Sequence, residues 1–133
     1  VILHTVVDFD GKETDIFVSH FGLARAEAEN AAKTLVGLLK DASRPVILMG
    51  DFNLLPEDPI LTPIRELLRD TFDVYPKQDD FTWPSYRDIM KPGERLQKID
   101  YIFVSHDIKV NSVTIPAPHA SDHKPYIAEI ELP

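Results

Sequence analysis

The chain has no cysteine. Disulfides, zinc-thiolate centres and thiol nucleophiles are excluded together, leaving carboxylates, histidines and asparagines as the available ligands and catalysts. A metal held by such donors is a hard one, Mg²⁺ or Mn²⁺. No apolar run approaches the roughly 20 residues of a membrane span, because Asp, His or Pro interrupts the longest ones. A soluble protein is therefore expected; the missing cysteines do not fix its compartment, for which the cytoplasm is the expectation. Positive charge is also short, with 14 Lys and Arg against 22 Asp and Glu and a net charge of −8. Such a surface repels polyanions, which argues against tight binding to duplex DNA, where affinity comes mostly from cations set on phosphates.

What is present suits one domain over residues 1–133, with 44% hydrophobic residues to form a core and no repeat, low-complexity tract or linker. Val1 to Phe9 and Thr14 to Phe21 are β-branched and aromatic runs around Asp10-Gly11, a hairpin signature. From Leu23 to Lys40 the apolar residues Ala24, Ala28, Ala31, Leu35 and Leu38 make a helical stripe. Val46 to Met49 is apolar at every position, as in a strand covered on both faces. A second helix is expected over Pro59 to Arg69, then a loop over Asp70 to Glu94. Strands follow over Leu96 to Val104, Lys109 to Ile115 and Tyr126 to Leu132, with Pro116-Ala117-Pro118 stopping the second.

Four polar motifs punctuate this pattern where apolar runs stop: Ser19-His20-Phe21, Gly50-Asp51-Phe52-Asn53, Ile99-Asp100-Tyr101 and Ser121-Asp122-His123. Carboxylates, an amide and imidazoles at strand ends are the parts needed for metal-assisted attack on a phosphate ester. Asp51 and Asn53 either handle a metal or water and a phosphate oxygen, or bond their own backbone in a turn. His123 can carry a proton once a carboxylate fixes its tautomer. Asp100, in an otherwise apolar run, either supplies that carboxylate or faces solvent.

These motifs, in this order, resemble the C-terminal half of the endonuclease/exonuclease/phosphatase superfamily, whose fold is that of deoxyribonuclease I. The resemblance implies a four-layer α/β/β/α sandwich in the α/β (α+β) class, of which this chain supplies one mixed sheet with helices on its outer face. It implies catalytic roles for His20, Asp51, Asn53, Asp100 and His123. Asp51 and Asn53 act on the nucleophilic water and scissile phosphate, His123 paired with Asp100 is base or phosphate-binding imidazolium, and His20 contacts the phosphate or assists the leaving group. Asp122, with Asp51 and His123, serves the metal.

His4 and His106 are expected to be structural or solvated, and His119 matches no family position. Trp83 and Tyr86 either line a substrate groove or pin the long loop. Family members run to about twice this length, their N-terminal half supplying an Asn and a metal-binding Glu, and Glu13, Glu27 and Glu57 do not stand in the matching context. A chain truncated at its N-terminus is expected, one that forms a homodimer or associates with its own missing half. Two functions follow: a phosphoester hydrolase, nuclease or phosphatase, or a catalytically incomplete half-domain acting as a binding or assembly module.

Overall fold

Asp10 and Gly11 both adopt positive φ, 54° and 87°, the pair of left-handed residues that lets a two-residue turn follow the twist of its strands. The computed structural model, which describes residues 1–86, 89–117 and 120–133, accordingly opens with a hairpin of β1 (Ile2–Phe9) and β2 (Lys12–Ser19), closed by the Phe9–Lys12 pair. Helix α1 (Arg25–Asp41) then crosses over to β3 (Val46–Asp51), which runs parallel to β2.

Ala28, Ala32, Leu35 and Leu39 are the buried row of α1. The expected stripe is thus rotated slightly: Ala24 is the N-cap, and Leu38 is 40% exposed. Alanines at 24, 28, 31 and 32 fit the helical period in either setting. Packing against Phe17, Leu48 and Ile64 selects between them.

The single helix expected over Pro59 to Arg69 is a 3-10 turn (Pro59–Leu61) followed by α2 (Thr62–Leu67), with Pro63 in its first turn. Asp58 caps the 3-10 turn by accepting the Ile60 amide at 2.9 Å. Arg69 already belongs to β4 (Arg69–Asp70), and a 3-10 turn (Thr71–Val74) follows within the expected loop. β5 (Asp100–Val104) is shorter than the run from Leu96, although Gln97 bridges to Trp83.

These strands form one mixed sheet in the order β1-β2-β3-β5-β4. Alternation along β3 and β5 turns Val46, Leu48, Tyr101 and Phe103 toward the helices, and Ile47, Met49, Ile102 and Val104 to the opposite face. On the helix side the core is closed by Leu35, Leu61 and Ile64, each fully buried, a gain of about 1.5–3 kcal/mol per side chain. β6 (Lys109–Thr114) and β7 (Ile127–Glu131) do not extend the sheet. They form a separate antiparallel ribbon, whose Val110 and Ile130 pack with Leu132 beside Ile47, Val104 and Ile108 on the opposite face.

Cover there is incomplete. Val18 is 39% exposed, and a cleft of about 290 Å³ is lined by Val18, Met49, Ile102 and Tyr126 together with Asp51 and Asp100. No helix among the described residues is long and apolar enough to cross a membrane. His119 and Pro118 lie outside the described residues.

Candidate active site

Asp51 ends β3, Asp100 begins β5, and the antiparallel register sets them directly opposite each other. Paired residues share a sheet face, so both carboxylates project on the side away from the helices. Gly50 makes the approach possible. Its φ is +145°, and a Cβ there would lie 1.8 Å from the carbonyl oxygen of Ser19, so the end of β3 can lie this close to β2 only with glycine.

Asp51 divides its two oxygens. Oδ1 accepts the Asn53 amide at 2.9 Å, the backbone turn that an Asp-x-Asn pair favours. Oδ2 stays in the site, 3.5 Å from His20 Nε2 and 3.8 Å from His123 Nε2. The turn and the site therefore coexist. Asn53 sits at φ 50°, and its amide nitrogen lies 2.9 Å from the Phe21 carbonyl, to which it donates, and 3.3 Å from His20 Nε2. His20 itself is 70% exposed.

His123 bridges the two carboxylates. Its Nδ1 lies 2.9 Å from Asp100 Oδ2, and with Asp100 ionised this nitrogen is the donor, which leaves Nε2 directed toward Asp51 as the free nitrogen. The backbone of the motif loop is held by its own serine, the His123 amide donating to Ser121 Oγ at 3.1 Å. Burial pushes the Asp51 carboxyl above the usual carboxylate range; the Asn53 amide opposes this, and the Asp100 charge adds to it.

Asp51, Asp100 and His123 present ligand atoms all within 4.8 Å of one another, close enough to share one ion. Two carboxylates at this separation, one with its pKa raised, gain from a cation between them, and the donors suit a hard metal. Asp122 is exposed and is not one of this group. Glu13 is paired with Arg44 at 3.0 Å, and Glu27 lies in the first turn of α1.

The other sequence candidates fall elsewhere. His4 bonds Asp15 at 2.7 Å and stacks on Phe17, away from the site. His106 is exposed, and half-buried Trp83 bridges to Gln97.

Two lysines escaped the sequence reading. Lys98 lies 3.4 Å from the Tyr101 ring centroid and 3.6 Å from Asp70 Oδ2, and it donates to the Asp100 carbonyl at 3.2 Å. Burial pushes its pKa down to about 8. Lys124 is likewise buried. Their only sequence signal is position, two residues before Asp100 and one after His123.

The family model for the endonuclease/exonuclease/phosphatase family matches residues 3–123. Among solved structures, an endonuclease/exonuclease/phosphatase from Bacteroides vulgatus is 27% identical with a TM-score of 0.79, covering 93% of this chain and 51% of that one. TDP2 from D. rerio, solved with a single-strand DNA product, is 18% identical at TM-score 0.81, over 98% of this chain and 61% of that one. A mannosyl-6-phosphatase from Bacteroides thetaiotaomicron is 20% identical at TM-score 0.67, over 92% and 53%. The last two bear on the fold alone, which is deoxyribonuclease I-like. The chain thus spans between half and two thirds of the length of these structures. No curated protein matches the sequence.

Proposed function

Because the chain belongs to the endonuclease/exonuclease/phosphatase family, we propose that Asp51, Asn53, Asp100, His123 and His20 form the centre of a phosphoester hydrolase. The convergence of Asp51, Asp100 and His123 within 4.8 Å, from two strands and a distant loop, carries this reading. Asp51 and Asp100 would hold Mg²⁺ or Mn²⁺ through carboxylate oxygens, with exposed Asp122 outside the group and His123 Nε2 left to the attacking water. A divalent ion bound there supplies charge neutralisation to the phosphate oxygens.

The chain's own residues do the rest. His123 Nε2, free because Nδ1 faces Asp100, takes the proton of the attacking water while the water oxygen bonds to phosphorus. Asp100 stabilises the imidazolium that results. Asn53 offers an amide hydrogen to a phosphate oxygen. His20, exposed and beside Asn53, would give a proton to the leaving oxygen as its bond to phosphorus breaks.

The acidic surface favours small phosphoesters or single-stranded ends over duplex DNA, and the names of the mannosyl-6-phosphatase and of TDP2 with single-strand DNA span that same range. A second reading, a half-domain acting as a binding or assembly module, is favoured by the 51% coverage of the Bacteroides vulgatus protein. Hydrolysis of bis-p-nitrophenyl phosphate and p-nitrophenyl phosphate with Mg²⁺ or Mn²⁺, and with EDTA, separates the two. Turnover that EDTA abolishes supports the enzyme. Turnover unaffected by EDTA sinks the metal assignment, and no turnover with either ester leaves the module.

A further inference from the structure

The loop before β5 reaches the Ser121-Asp122-His123 turn from outside the catalytic cluster and holds it at three points. The Ser85 amide donates to the Asp122 carbonyl at 2.6 Å, and the Ser85 hydroxyl to the Ser121 carbonyl. The Lys124 amide donates to the Thr82 carbonyl at 2.7 Å. Thr82 also reaches the other half of the pair, its hydroxyl oxygen accepting the Ile99 and Asp100 amides at 3.1 and 3.2 Å.

One charged contact locks this arrangement. The Lys124 ammonium, on a residue only 8% exposed, donates to Asp80 Oδ1 at 2.9 Å and lies 3.4 Å from the centroid of the Phe81 ring. Asp80 takes two further donors: Oδ1 also accepts the Phe81 amide at 2.8 Å, and Oδ2 accepts the Tyr75 hydroxyl at 2.8 Å. Burial alone would raise the Asp80 carboxyl, but these donors hold it below the usual carboxylate range. A buried ion pair is a poor source of stability, because desolvation offsets much of the attraction; its better-attested use is to fix one arrangement of the chain.

We propose that Lys124 is a positioning residue of the candidate site: its ion pair with Asp80 ties the loop to the turn and thereby keeps the His123 ring on Asp100. This rests on the reading of His123 as the working imidazole. Lys124 also lines the cleft that holds Asp51 and Asp100, but its ammonium is held by Asp80. It acts through the peptide it shares with His123, and its charge sets where that peptide stops.

The test compares Lys124→Met, Lys124→Arg and Asp80→Asn in the metal-free protein, using long-range ¹H–¹⁵N correlation of the His123 ring at alkaline pH. In the wild type the Nδ1-protonated tautomer is expected. Lys124→Met and Asp80→Asn should mix the tautomers while the fold persists, and Lys124→Arg should restore the wild-type pattern. With the ester substrates, kcat should fall roughly tenfold to a hundredfold in the first two variants, with KM little changed.

A folded Lys124→Met or Asp80→Asn protein with unaltered tautomer and kcat overturns the proposal. Loss of folding in both variants makes the pair a structural element and overturns it too. If the wild type hydrolyses neither ester, the hydrolase reading fails, and the ring spectra alone judge the positioning role.

Discussion

His123 Nδ1 and Asp100 Oδ2 lie 2.9 Å apart across 23 residues of chain. The contact orients the imidazole so that its second nitrogen faces Asp51. Because the same two carboxylates also offer ligand atoms to an ion, the proposed proton handling and the proposed metal binding would draw on one set of side chains.

That economy makes the cluster sensitive to single substitutions. Asp51→Asn and His123→Ala should each lower turnover by about 10²–10⁴, the usual loss for a positioned acid or base. His106→Ala, exposed and outside the cluster, should leave it within about twofold. Steady-state rates on folded variants check this, and equal losses at His106 and His123 would dismiss the roles assigned to the motif.

Gly50→Ala should be among the most damaging small changes. Its φ of +145° and the 1.8 Å approach of a Cβ to the Ser19 carbonyl add backbone strain to a collision that no side-chain motion relieves. A loss on the order of 3 kcal/mol in urea unfolding is expected, together with displacement of Asp51. Wild-type stability in this variant would contradict the close approach of β2 and β3.

Lys98 should make stability rise with pH above neutrality. Its pKa is about 8 in the folded chain against 10.5 as a free group, so between those values the unfolded chain holds the extra proton and unfolding is penalised as pH increases. From about pH 7.5 to 9.5 the wild type should gain on the order of 2 kcal/mol relative to Lys98→Met. Buried Tyr101 and Tyr126, whose pKa values burial raises, should reverse the trend at higher pH. Urea midpoints for both proteins at the two pH values give the answer, and parallel curves would refute it.

The sheet face away from the helices should drive association. Val18, at 39% exposure, lines the cleft that holds Asp51 and Asp100, Leu3 at 56% pairs with it, and Phe9 at 44% lies at the turn end of β1 on the same face; the ribbon of β6 and β7 covers only part of this face. A sheet packing on it, from a second copy or from the other half of a family-length protein, would bury it. Sedimentation at micromolar concentration should therefore show a species larger than the monomer. A strictly monomeric chain with a sharp unfolding transition would mean that this face tolerates water.

Local signals were enough where geometry is local. Asp10-Gly11 announced its hairpin because only certain residues accept positive φ, and the run Val46 to Met49 announced a covered strand because no polar residue interrupts it. Gly50-Asp51-Phe52-Asn53 and Ser121-Asp122-His123 stood out because they occur together and in order at the ends of apolar runs, although each alone is also a turn signature. Tertiary structure decided which row of α1 faces the core, since its alanines satisfy the helical period in two settings. It decided that β6 and β7 leave the sheet, that Asp51 and Asp100 stand opposite each other while Asp122 stays outside their cluster, and that two lysines flanking the motifs are buried. Register, pairing and desolvation are set by partners distant along the chain, and a residue's neighbours in sequence carry no record of them.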